Sequence, residues 1–159
     1  MQTTQLRSRG MKHGRVWEFE FFGFSIDEEM RFEYASIREA LCKVAEIQVE
    51  RNWDPSNPPT KIAKKLFELV KGLLRPEDRE DLQLYCALHT VLDQFHRGDG
   101  FFKIRENVVM LDLTVNANKE QGRSVLLRRS DLKSKRITEI ATQIVKSFYD
   151  SMDKKSEVS

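Results

Sequence analysis

Apolar and polar residues alternate from Val16 to Phe24. Trp17, Phe19 and Phe21 fall on one side, Glu18 and Glu20 on the other. A second alternation runs from Glu29 to Ala35, with Met30, Phe32 and Tyr34 opposite Arg31 and Glu33. A period of two is the pattern of a strand buried on one face. With the polar Ser25–Glu28 between the two runs, it predicts an antiparallel hairpin with one aromatic face. A lone hairpin is not stable in water, so this face is expected to pack on a helix; stacking on nucleic-acid bases is its alternative use.

The period then lengthens. Ser36-Ile-Arg-Glu39 is a capping box, in which serine and glutamate side chains satisfy the first free amides of a helix. Ile37, Leu41, Val44 and Ala45 continue at helical spacing toward Arg51. Asn52 to Thr60 holds three prolines and reads as a loop, with Trp53 as its anchor into the core. A second helix is expected from about Thr60 to Leu74. A third is expected over about 77 to 96, where Leu82, Leu84, Tyr85, Cys86, Ala87, Leu88, Val91, Leu92 and Phe95 make it apolar nearly all round and therefore buried. Beyond Gly98, Phe101–Ile104 and Val108–Val115 read as strands around a turn. The second is apolar on both faces and so central in its sheet. Ser124–Arg128 is a further strand, and Asp131–Tyr149 a closing helix.

These elements predict an α+β fold: an N-terminal antiparallel hairpin, three helices, a second small sheet and a C-terminal helix. Residues 15–150 form a single domain, flanked by a flexible basic arm, 1–14, and a polar tail, 151–159. The length of 159 residues suits one domain. With 27 basic and 25 acidic residues the net charge is +2, so only the placement of charge can speak for a nucleic-acid partner. The two cysteines, Cys42 and Cys86, have no metal-ligand spacing and read as buried thiols in a reducing compartment. No apolar run approaches the roughly 20 residues of a membrane span, and the basic N-terminal stretch lacks the apolar core of a leader. A cytoplasmic protein with no membrane attachment is expected.

Candidate chemistry lies between residues 89 and 119. On the expected third helix, His89, Asp93 and His96 are spaced by four and three and share a face. Buried without partners they would cost several kcal/mol, so they are expected to meet one another, water or a metal. Asp99 follows at the start of one strand, and Asp112 lies near the end of the next. In a tight hairpin these two come close, and two neighbouring carboxylates repel unless one is protonated or a cation lies between them. Mg²⁺ takes one or two carboxylates together with water and phosphate. Lys119 is the nearest downstream ammonium able to stabilise charge beside such a site.

The order helix, Gly98-Asp-Gly-Phe-Phe102, turn, Val108-Val-Met-Leu-Asp-Leu-Thr114 resembles the PD-(D/E)xK, or restriction-endonuclease-like, nuclease superfamily over roughly residues 77 to 149. The resemblance implies a restriction-endonuclease-like core. It also implies Asp99 and Asp112 as catalytic acids and ligands of Mg or Mn, with the backbone carbonyl of Leu113 completing the metal shell. Thr114 stands where the pattern has its lysine, so Lys119 is the relocated one. His89, Asp93, His96 and Thr114 then support the site.

Downstream, Arg123, Arg128, Arg129, Lys133, Lys135 and Arg136 form a basic tract suited to phosphates. The sequence therefore favours a metal-dependent nuclease-like protein acting on nucleic-acid phosphodiesters, with nucleic acid as its first partner. One alternative is a non-catalytic accessory or regulatory factor that binds nucleic acid or protein. Another is a metal hydrolase built on His89, Asp93 and His96, for which imidazole ligands favour Zn²⁺.

Overall fold

A computed structural model describes residues 16–23, 32–116 and 118–158, without the side chains of 155–158. The expected basic arm, 1–14, lies outside the described residues. The chain is α+β, with one four-stranded mixed sheet between two layers of helices.

Residues 16–22 form a helix, α1, not the expected strand. Trp17 and Phe21, four apart, fit one helical face as well as one strand face, so the short run is ambiguous to periodicity. Phe19 decides the matter: alternation would bury it with them, yet it is 57% exposed, whereas Trp17, Phe21 and Phe22 are fully buried. These rings pack edge to face, and Trp17 Nε1 donates to the Leu127 carbonyl at 3.0 Å. Gly23 ends α1 with φ 87°, its N–H bonded to the Phe19 carbonyl, the left-handed cap that glycine adopts without strain. The expected partner strand lies partly in 24–31, outside the described residues. Residues 32–36 form an extended strap with no ladder partner among the described residues.

Helix α2 (Ile37–Ile47) starts where the capping box predicts, the Ser36 hydroxyl accepting from Glu39 N. Helix α3 (Lys61–Leu73) is capped in the same way by Thr60. Trp53 anchors the intervening loop, as expected, by donating from Nε1 to the Leu84 carbonyl at 2.7 Å.

The expected third helix is replaced by three elements: a single turn, α4 (Pro76–Arg79), a strand, β1 (Leu82–Cys86), and a short helix, α5 (Val91–His96). A run apolar on both sides looks the same in a buried helix and a central strand. Here β1 divides its residues between the layers. Leu82, Leu84 and Cys86 enter one core, Tyr85 the other. Cys86 is buried as expected, but Cys42 on α2 is exposed.

Strands β2 (Gly100–Ile104), β3 (Asn107–Thr114) and β4 (Val125–Arg128) match the expected runs. The order is β1-β2-β3-β4, with the first three antiparallel and β4 parallel to β3. β3 is therefore internal, as its apolar run predicts. Helices α1, α3 and α7 cover one face with the larger core, and α2 and α5 cover the other with a smaller one. The closing segment is split into α6 (Arg129–Leu132) and α7 (Ile137–Val158). The backbone of the expected tail is thus helical as far as Val158.

Candidate functional site

β3 sends Val109, Leu111 and Leu113 into the larger core. Pleating turns Asp112 and Thr114 to the other face, the face that α5 covers. β2 starts at Gly100, paired with Leu111, so Asp99 stands one step beyond it, beside Asp112 across the ladder. The Asp99 N–H donates to the Leu111 carbonyl at 2.9 Å, and its carbonyl accepts from Ala87 N at 2.8 Å. Its carboxylate then extends the ladder: Oδ2 accepts the N–H of Leu113 at 2.7 Å.

Asp99 is 8% exposed. Burial pushes its carboxyl well above the usual range, and Asp93, which shares a hydrogen bond with it, and Asp112 push it further; the Leu113 N–H opposes the rise. Two carboxylates, Asp93 of α5 and Asp112 near the end of β3, thus act on the buried carboxyl at the start of β2.

Lys119 closes the group. Its Nζ lies 2.7 Å from Asp112 Oδ2. The connection from β3 to β4, residues 115–124, has no helix or strand among its described residues. It is held locally by Thr114 Oγ1, which accepts from Asn116 N, and by Arg128 Nη2, which donates to the Lys119 carbonyl at 2.6 Å. Thr114 is paired with Arg128 across the parallel ladder, so the end of β4 pins the lysine that returns to the end of β3. Arg128 Nε is buried with no hydrogen-bond partner among the described residues.

The other expected residues are placed differently. His89 is not on a helix: it precedes α5 with φ 53°, and its N–H donates to Asp93 Oδ2 at 2.9 Å. The common helical face expected for His89, Asp93 and His96 therefore does not exist. His96 bonds the Ala35 carbonyl of the strap through Nε2 at 2.9 Å. Of the three, only Asp93 reaches the acids. The basic tract is divided as well. Arg129 and Lys133 both pair with Glu20 of α1, and Arg136 pairs with Asp131 and Glu139. Arg123 and Lys135 are exposed. Glu20 was not foreseen as a partner, because the contact joins residues 109 positions apart and leaves no local signal.

Among the described residues, no three His, Cys, Asp or Glu side chains form a cage for a metal. The donors that do meet are hard carboxylate oxygens, one of them buried and held by like charges. This chemistry fits a Mg²⁺- or Mn²⁺-type ion bound by two carboxylates and completed by water or phosphate, and it does not suit Zn²⁺, which prefers nitrogen and sulfur. No helix among the described residues is long and apolar enough to cross a membrane. No protein-family model, curated protein or solved structure matches the chain.

Proposed function

We propose that the chain is a metal-dependent nuclease-like protein acting on nucleic-acid phosphodiesters. The observation that carries this reading is the meeting of Asp99, Asp112 and Lys119 at one end of the sheet. These residues lie on three separate segments, and their convergence is what the resemblance to the PD-(D/E)xK superfamily requires. The helix–strand–strand order that it calls for is supported by α5, β2 and β3, although α5 is much shorter than the expected helix.

On this reading Asp99 and Asp112 would hold the ion, with the Leu113 carbonyl as a further oxygen ligand. A divalent cation there would supply Lewis acidity. Lys119 stabilises negative charge building on the attacked phosphate. Asp93 orients Asp99 through their hydrogen bond. Arg128 holds the Lys119 loop in place, and Arg123 and Lys135 contact phosphates. Two free thiols suit a reducing, cytoplasmic setting.

Titration calorimetry with Mn²⁺ on the wild type and on Asp112→Ala tests this, with plasmid and single-strand cleavage measured on the same samples. Binding that is lost in the variant, with cutting that needs metal, is the expected result. Absence of Mn²⁺ binding by the wild type would sink the metal reading. It would favour the alternative of a non-catalytic factor binding nucleic acid or protein, which Thr114 at the expected lysine position also favours.

A further inference from the structure

The rings of Tyr34, Phe95 and His96 gather on the outer side of α5. Tyr34 and Phe95 meet edge to face at 5.4 Å, and Tyr34 lies 5.9 Å from the His96 ring. Single exposed aromatics are common on protein surfaces, but this is a group of three. Tyr34 is 71% exposed and Phe95 37%. The His96 ring is fixed, because the Ala35 carbonyl only accepts and Nε2 must therefore carry the proton. Phe32 N donates to Gln94 Oε1 at 3.0 Å and ties the strap to α5 at a second point. The cluster is thus rigid yet open to water.

Its location gives it meaning. Asp93, three residues before His96, touches the Asp99 carboxyl, and Asp99 follows His96 by three. Phe95, His96 and Asp93 are carried by one short helix and Asp99 by its exit, while Tyr34 comes from the strap that His96 ties down. Arg97 and Arg38, next in chain to His96 and four residues after Tyr34, are exposed cations. Tyr34, the most exposed ring of the group, leaves surface on which a further flat ring can stack, and the two exposed guanidinium groups next in the chain suit the phosphates on either side of a base. Stacking needs a free base face, which a paired base in a duplex does not offer, and it does not read sequence.

We infer that Tyr34, Phe95 and His96 form a stacking platform for an unpaired base, so that the substrate class is single-stranded nucleic acid. This inference rests on the nuclease reading for its catalytic part, but binding can be tested without cleavage. The test uses a short dye-labelled single-stranded DNA and its duplex, in EDTA, with fluorescence anisotropy. The wild type is expected to bind the single strand more tightly than the duplex. Tyr34→Ala should weaken single-strand binding about tenfold, equivalent to about 1.4 kcal/mol, and Tyr34→Phe should leave it unchanged. Because Trp17 and Trp53 are buried, at 1% and 4% exposure, Tyr34→Trp adds an exposed indole whose fluorescence the strand should quench. Equal binding by wild type and Tyr34→Ala, no quenching in Tyr34→Trp, or no single-strand binding at all would overturn the inference. Metal-dependent duplex cleavage unaffected by Tyr34→Ala would overturn it while leaving the nuclease reading intact. Strand binding without cleavage would uphold the platform and remove the nuclease.

Discussion

Lys119 Nζ lies 2.7 Å from Asp112 Oδ2 although the two are seven residues apart and separated by the turn that leaves β3. The lysine side chain is 38% exposed and the aspartate side chain only 13%, so the ammonium compensates a largely buried carboxylate. The return of the loop therefore sets a charge beside the acids and also offsets their repulsion. If Lys119 stabilises a transition state there, Lys119→Ala should lower kcat by about 10²-fold or more, beside a fall in melting temperature from the carboxylate left unpaired. A single-turnover cleavage assay beside a thermal melt checks this; equal cleavage rates would remove Lys119 from the chemistry.

Asp99→Asn should raise stability at neutral pH while destroying metal binding. The carboxyl of Asp99 is held well above its usual range by burial, Asp93 and Asp112. A raised folded-state pKa means that the folded protein keeps the proton longer than the unfolded chain. The stability this contributes is complete below the ordinary carboxyl value, about 3.9. It is lost as the pH climbs from there through the raised value. An asparagine is neutral at every pH, accepts from Leu113 N and donates to Asp93. Melting temperatures of wild type and Asp99→Asn should thus converge in acid and separate as pH rises, the variant being higher. Added Mn²⁺ should stabilise the wild type alone. A variant that melts lower at neutral pH would contradict the assignment of the strain to charge.

Arg105→Ala should destabilise the far end of the sheet. Asp78 is 3% exposed and accepts from Arg105 Nη2 at 2.6 Å and from the Tyr149 hydroxyl at 2.9 Å. The Arg105 hydrogen bond is the main cause holding its carboxyl below the usual range, against the desolvation that raises it. This contribution is present above the ordinary carboxyl pKa and lost as the pH falls through the lowered value. Arg105 is half exposed and solvent screens its side of the pair, so the loss should be about 1 kcal/mol at neutral pH, below the range for a fully buried hydrogen bond to a charged group. It should shrink in acid. Urea unfolding at two pH values measures it, and a pH-independent loss would show that packing, not charge, was removed.

Gly100→Ala should cost about 1–3 kcal/mol by overpacking. A Cβ at Gly100 would lie 2.8 Å from Phe22 Cζ and 2.8 Å from the carbonyl oxygen of Tyr85. The phenyl ring can turn, but the strand backbone cannot. The same change shifts the residue next to Asp99, so Mn²⁺ affinity should fall with stability. A shift in the urea midpoint with unchanged affinity would separate the core from the site.

Patterns that depend on neighbours in the chain were legible. The cap at Ser36, the start of the second helix near Thr60, the Trp53 anchor, strands β2, β3 and β4, and the internal place of β3 all follow from spacing and local hydrogen bonding. The nearness of Asp99 and Asp112 follows as well, because a hairpin register of Gly100 against Leu111 brings the next residues together. Residues 16–22 and 82–86 are not decided by pattern, because a short aromatic or wholly apolar run satisfies helix and strand periods alike. What settles such runs is where their side chains are buried. Trp17, Phe21 and Phe22 enter the larger core together, and β1 feeds both cores in turn.

The sequence by itself determined the α+β class, the starts of the capped helices (α2 ends at Ile47, short of the expected Arg51) and the pairing that sets two aspartates side by side, since these arise from interactions within a few residues or across one turn. Only the tertiary structure decided that Asp93 joins the acids while His89 and His96 do not, that Arg128 holds the Lys119 loop, and that Glu20 takes up Arg129 and Lys133. Those contacts join segments whose approach depends on the whole chain packing around the sheet, and burial strengthens the charge interactions that result by removing the water that would screen them.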